Sequence, residues 1–223
     1  MAKRPQPPKR RPKAITMEPY AFKEALIRYS IQIARKNWKE WSAEFEHGGG
    51  ISTNPLLDDQ DRFASFCEGY RVSRTIRHGK QNAFRLELKG SSWFQKAIDD
   101  DAGHVFGKFE IHVRRRFGTH GGSRRMISVL SKVAAFIRPD RFVAWDGYAK
   151  KGVNIVLGRT ASAPFDSYAD YLGAFDTAWN GHPGQQIRGY MRRVNPHSAL
   201  EREPRFLRRV LDVCLMKCGG REL

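Results

Sequence analysis

The chain has 223 residues, of which 40 are Lys or Arg and 23 are Asp or Glu, giving a formal net charge of +17 at pH 7. With 40% hydrophobic residues, five tryptophans and fourteen phenylalanines, it falls outside the intrinsically disordered class and can bury a core as one domain or two small lobes. No run approaches the ~18 apolar residues of a membrane span, and the basic N-terminus leads into prolines, not into the apolar segment of a signal peptide, so an intracellular location, cytoplasmic or nucleoid-associated, is expected.

MAKRPQPPKRRPKAIT holds six Lys/Arg, four prolines and no acid. Such a segment has nothing to bury, so residues 1–16 are expected to form a disordered basic arm. Behind it stands a folded domain, 17–223, or two lobes, 17–120 and 121–223. YAFKEALIRYSIQIARKNWKEWSAEFEH predicts one long helix ended by Gly48 to Gly50. Its stripe is Phe22, Leu26, Tyr29 and Ile33, continued by Ala34, Trp38, Trp41 and Phe45. A second helix is expected over Asp59 to Tyr70, with Phe63, Phe66, Cys67 and Tyr70 on one side. VSRTIRHGKQNAFRLELKG has a turn-like centre, Gly79 to Asn82, after which Phe84, Leu86 and Leu88 alternate with Arg85, Glu87 and Lys89. Period two suggests a small β-hairpin there, although a helix also fits, and Phe109, Ile111 and Val113 in KFEIHVRRRF alternate similarly.

GTHGGSRR reads as a loop. After it, Met126, Val129, Leu130, Val133, Phe136 and Ile137 keep helical spacing until Pro139 stops the pattern. Asp146 stands where the next helix should begin. The two helices, Met126 to Arg138 and Asp146 to Leu157, are expected to pack as neighbours, because seven residues separate them. Ser162 is the expected N-cap of a helix with the stripe Phe165, Tyr168, Leu172, Phe175 and Trp179. The last helix should turn Leu207, Val210, Leu211, Cys214, Leu215 and Cys218 inward and end at Gly219. The expected fold class is mainly α.

The arm holds +6 of the charge, which leaves +11 on the folded body. An excess of this size implies a polyanionic partner, nucleic acid before an anionic membrane surface. Three cysteines, an odd count with Cys214 and Cys218 at core spacing, imply no disulfide framework. The cysteines and seven histidines show no paired metal-ligand spacing, and no glycine loop for a nucleotide or nucleophile elbow is present. No cofactor is expected.

Two residues interrupt the apolar pattern of Ser128 to Val153. On a helical wheel Lys132 lies at the border of the apolar face, about 40° from Phe136. An amine there either loses hydration, which lowers its pKa and frees it as a nucleophile, or lays its stem on apolar surface with the charge in solvent. Asp146 suits an N-cap. A capping carboxylate is rigid and ionised, which is also what stabilising a cation across a cleft requires.

SKVAAF on a helix, a short turn, then an apolar run ending in Asp at a helix start resembles the core of the helix-hairpin-helix DNA glycosylases, most closely the 8-oxoguanine glycosylase branch, over about 25 residues. Lys132-Val133-Ala134 matches the family's lysine position and Asp146 its aspartate position. The resemblance implies a lysine nucleophile that attacks the sugar C1′, an assisting aspartate, and duplex DNA with a damaged or modified base as substrate. Where the family carries hairpin glycines before the lysine, this chain has Ser128-Val129-Leu130-Ser131. No four-cysteine signature follows, which excludes the iron–sulfur branch. In this reading Trp145 and Tyr148 offer stacking surfaces for an extruded base. Arg124 and Arg125, Lys150 and Lys151, and Arg114 and Arg115 are the candidate phosphate contacts.

Two alternatives stand beside it. An arm and a basic body suffice for a non-catalytic DNA- or RNA-binding protein. RLELKG, with Glu87 and Lys89 on a possible strand, offers the Glu-x-Lys pattern of a metal-dependent nuclease.

Overall fold

The computed structural model describes residues 20–45, 51–70, 72, 75–77, 79–99, 103–117, 126–194 and 199–222. The expected arm and the basic loop with Arg124 and Arg125 lie outside them. Among the described residues the protein is mainly helical and contains no β-strand.

The first helix, α1 (Glu24–Glu40), stops earlier than its sequence pattern suggests. At Trp41 the backbone leaves helical geometry, and a short α2 (Ser42–Phe45) follows. The break has a visible partner. Arg62 lies over the Trp41 ring at 4.3 Å, donates to the Glu40 carbonyl at 2.7 Å and pairs with buried Glu44 at 2.5 Å. It thus satisfies an end carbonyl that a continuous helix would have bonded itself. The buried face of α1 is Ile27, Ser30, Ile31, Ala34 and Trp38, so the expected stripe is displaced, with Leu26, Tyr29 and Ile33 on its margin. Ser30 is buried because Cys214 Sγ donates to its Oγ at 3.2 Å.

A 3₁₀ turn, Ile51–Thr53, leads into α3 (Pro55–Asp58) and α4 (Gln60–Gly69). Asn54 caps α3 through Leu56 N, and Asp59 caps α4 through Asp61 N and Arg62 N. The expected hairpin is replaced by a helix, α5 (Gln81–Gly90), which begins inside the expected turn; α6 (Ser92–Asp99) follows, and the second alternating segment lies in α7 (Gly103–Phe117). The reason is arithmetic. Phe84 and Leu88 in α5, and Phe109 and Val113 in α7, are four apart, a spacing shared by two strand periods and one helical turn. All four are buried, while the residues between them, Leu86 at 52% exposure and Ile111 at 47%, face outward. Arg85, expected on the exposed side, is buried and donates to the Leu57 carbonyl and, at 3.0 Å, to that of Asp58, closing the end of α3.

The second half comprises α8 (Ile127–Ile137), α9 (Gly147–Val156), α10 (Tyr168–Asn180), α11 (His182–Arg193), a 3₁₀ turn at Ala199–Arg202 and α12 (Pro204–Cys218). The centre of this half is α12, which buries ten residues and packs against α9, α1 and α11. Its approach to α9 is so close that a Cβ on Gly152 would lie 2.0 Å from the Leu215 carbonyl oxygen. The expected pairing of α8 with α9 is not a principal one: α9 packs chiefly on α12, and α8 on α7 and α2. The segment that leads into α9 is tied to α8 by a hydrogen bond of 2.8 Å from Trp145 N to Ser131 Oγ. The N-cap of α10 is Ser167 and not Ser162. Buried Asn154 donates to the carbonyls of Ala161 and Ala163 and so holds the preceding loop extended past Ser162. Gly219 is the C-cap of α12, as expected. Buried apolar residues from both halves form one cluster.

Candidate functional site

Lys132 sits on α8 between buried Ser131 and Val133 and is itself half-buried. Its Nζ donates to the Tyr70 carbonyl at 3.0 Å, at the C-terminal end of α4, where free carbonyls and the helix dipole favour a cation. Burial nonetheless lowers the Lys132 pKa below its ordinary value. Asp146 and Asp212 pull it back up, and Arg221 adds to the lowering. Of the two sequence readings, partial loss of hydration is the one that describes this side chain.

Asp146 caps α9. Its Oδ1 accepts from Tyr148 N at 2.8 Å and Ala149 N at 3.3 Å, while Oδ2 faces Arg221 Nη1 at 3.9 Å. The chain leading to it is pinned from three sides. Tyr168 Oη donates to the Val143 carbonyl at 2.7 Å, Tyr171 Oη to that of Ala144 at 3.2 Å, and Arg208 to that of Arg141 at 3.3 Å. A carboxylate so mounted has little freedom, which is what a fixed electrostatic role needs.

Lys132 and Asp146 line the same cavity, of about 440 Å³. That volume lies in the range of small-molecule sites. Tyr70, Phe136 and Phe142 form part of its wall, α1 contributes Asn37 and Glu40, and α12 contributes Arg208, Arg209, Asp212 and Met216. Arg221 reaches the cavity because Gly220, at φ 94°, turns the chain back after α12. A positive φ of this kind suits glycine.

Asp212 and Arg221 are the residues that sequence reasoning missed. Asp212 is 2% exposed in the middle of α12. Arg209 Nη1 pairs with its Oδ2, and Arg209 Nη2 donates to Asn37 Oδ1 at 3.1 Å. Burial raises the Asp212 pKa, with Asp146 adding to the rise and Arg209 and Arg221 opposing it. A signal was available: an acid enclosed by the apolar run Val210, Leu211, Val213, Cys214 and Leu215 requires a partner or a ligand.

The remaining predicted residues divide. Tyr148, 44% exposed, lines the cavity. Trp145 does not: it packs edge-on against Tyr171, and Lys150 Nζ sits 4.0 Å over its ring. Lys151 is exposed, with its Nζ 5.9 Å over the Tyr148 ring, and does not line the cavity. Arg114 and Arg115 end α7 and do not line the cavity. The strand context of the nuclease pattern is absent, since Glu87 and Lys89 lie on α5. Glu87 pairs with Arg116 at 2.6 Å and His112 at 3.1 Å, and Lys89 with Asp58, so the two are held by different partners. Among the described residues no group of three or more His, Cys, Asp or Glu is placed to hold a metal ion, and no helix is long and apolar enough to cross a membrane. Comparison with protein-family models, curated proteins and solved structures gives no match.

Proposed function

We propose that the protein acts on DNA as a glycosylase/AP lyase, with Lys132 as nucleophile and Asp146 as the assisting carboxylate, in the manner of the helix-hairpin-helix enzymes it resembles. The observation that carries this reading is that a lysine of lowered pKa and a rigidly capped aspartate, fourteen residues apart in sequence, open onto one aromatic-walled cavity. A neutral amine can keep one N–H on the Tyr70 carbonyl and still present its lone pair. It would attack C1′ of the deoxyribose; the base would leave with the bonding electron pair and take up a proton. Opening of the C1′–O4′ bond would then give a Schiff base, with Asp146 opposing the positive charge that develops on the sugar.

Borohydride, which reduces the Schiff base to a stable secondary amine, should trap a covalent adduct with duplex DNA carrying a damaged base or an abasic site. Adduct formation should rise with pH along a limb below the ordinary lysine value of 10.5, because the amine must be neutral. Lys132→Gln should abolish the adduct and leave DNA binding nearly intact, since one charge in +17 is lost. Asp146→Asn keeps a capping oxygen but not the negative charge, and should slow trapping by at least about tenfold. Undiminished trapping in Asp146→Asn would reduce that residue to a cap.

A non-catalytic DNA- or RNA-binding protein is the second reading. It is favoured by one observation: the bond from Lys132 to the Tyr70 carbonyl gives the lysine a structural use at the end of α4. No adduct with any of a broad panel of lesions would establish it over the first.

A further inference from the structure

The arginines that line the cavity differ in what they can reach. Arg208 and Arg209 are committed: their side chains are 7% and 20% exposed, and each is paired at hydrogen-bond distance with a carboxylate, Asp176 and Asp212 respectively. Arg221 is 41% exposed, and its contact with a carboxylate is longer, 3.9 Å from Nη1 to Asp146 Oδ2. Nη1 also donates to the Met216 sulfur, a weak acceptor, at 3.0 Å. The backbone that carries Arg221 is nevertheless fixed. Gly219 N donates to the Leu215 carbonyl, Gly220 N to that of Lys217 and Arg221 N to that of Met216, at 2.9, 3.0 and 3.1 Å. This turn lies so close on α9 that a Cβ on Gly219 would stand 1.9 Å from the Tyr148 carbonyl oxygen. Arg221 is thus mounted beside the N-cap of α9, with its charged end where the cavity meets solvent.

We propose that Arg221 is the phosphate anchor of this cavity: the Nε–Nη2 edge of its guanidinium holds the phosphodiester adjoining an extruded nucleotide, while the nucleotide itself enters the aromatic-walled space. The proposal rests on the proposed function for the ligand being DNA, and not on the lysine chemistry. A nucleotide has a flat ring at one end and an anion at the other. The cavity has Tyr70, Phe136 and Phe142 in its wall and Arg221 on its open side. A guanidinium suits the task, because its parallel N–H pair matches two phosphate oxygens and its charge is permanent. The same edge grips an oxyanion elsewhere in this protein: Arg35 Nε and Nη2 donate to the two oxygens of Glu201 at 2.8 and 2.7 Å. Asp146 leaves that edge to a ligand, since its Oδ1 is taken by Tyr148 N and Ala149 N and its Oδ2 faces Nη1.

The test is anisotropy titration of the full-length protein with a labelled duplex carrying a tetrahydrofuran analogue of an abasic site, which cannot form a Schiff base. The two phosphates flanking the analogue are replaced, one at a time, by an uncharged methylphosphonate. In the parent, one of these replacements should weaken binding about tenfold, the scale of a charge-assisted hydrogen bond. Arg221→Met should weaken binding of the unmodified duplex by a similar factor, lower the slope of log affinity against log salt by about 0.9, and be indifferent to that methylphosphonate. Arg221→Lys keeps the charge without the paired N–H groups and should fall between the two. A merely structural role for Arg221 would not produce the indifference.

The proposal is overturned if neither methylphosphonate weakens the parent by more than about twofold, or if Arg221→Met, with its fold checked by circular dichroism, keeps the parental penalty. The parent's response does not depend on any variant's folding. Duplex binding without a methylphosphonate effect would overturn the anchor and leave the proposed function standing. The expected coupling without a borohydride adduct would defeat the lyase reading and leave the anchor standing. No binding of the duplex would overturn both.

Discussion

Removing the guanidinium of Arg209 tests whether α12 holds its buried carboxylate as described. In Arg209→Met the stem keeps its packing, but Asp212, 2% exposed, loses the partner of Oδ2 while Oδ1 has none among the described residues. Asn37 Oδ1 loses its donor as well. Breaking a buried ion pair from one side costs about 3–5 kcal/mol. For a chain of this length that corresponds to a fall in Tm of roughly 10 °C. The loss must also depend on pH. Without Arg209 the rise imposed by burial is less opposed, so the folded-state pKa of Asp212 moves further above the unfolded value, about 3.9. The folded protein then binds a proton that the unfolded chain does not. The penalty is full above both pKa values and shrinks as pH falls toward the unfolded one. Urea unfolding of parent and variant near neutral pH and at about pH 5 measures both effects. A loss below about 1 kcal/mol, or one equal at the two pH values, would refute the description of Asp212 as a buried, ionised group held by Arg209.

Gly152→Ala should cost about 3 kcal/mol in the same assay, since its Cβ would lie 2.0 Å from backbone and α9 must part from α12. Gly173→Ala, on α10 with nothing within 4 Å of the added carbon, should instead be neutral or stabilise by about 0.5–1 kcal/mol; equal losses in the two variants would contradict the close approach at Gly152. Duplex DNA binding, followed by fluorescence anisotropy, should weaken with salt at a slope of roughly −0.9 per phosphate contact. Deleting residues 1–13 should make that slope shallower without abolishing binding, because +11 remains on the body, and salt-indifferent affinity would argue against a nucleic-acid partner.

The sequence made the second half of the fold far more legible than the first. Pro139, the cap at Asp146 and the stripe from Met126 to Ile137 each mark a boundary by local chemistry, and the helices start and stop close to those marks. Segments 84–88 and 109–113 were ambiguous because buried residues four apart satisfy both periods. Only the outward placement of Leu86 and Ile111 separates helix from strand, and that depends on tertiary packing. The break at Trp41 likewise needs Arg62, brought in from α4. For the site, Lys132 and Asp146 were visible as polar residues in apolar surroundings. The same criterion applied to α12 would have found Asp212. Arg221 could not be read, since its position depends on the turn at Gly220.

The charges of the cavity and of the whole chain differ in kind. The cavity sets Lys132, Arg208, Arg209 and Arg221 against Glu40, Asp146 and Asp212, so its cations are nearly matched by carboxylates. The excess of +17 therefore belongs almost entirely to the rest of the chain. Contacts to phosphate position a protein on nucleic acid without selecting a base, while selection belongs to groups that meet base edges. On the proposed reading, a near-neutral cavity in a strongly basic protein divides those two tasks between different residues. Neutralising the surface cations, Arg115 or Lys151 for example, should lower affinity for all sequences together. Asp146→Asn, inside the cavity, should instead slow adduct trapping and leave the salt dependence of binding in place.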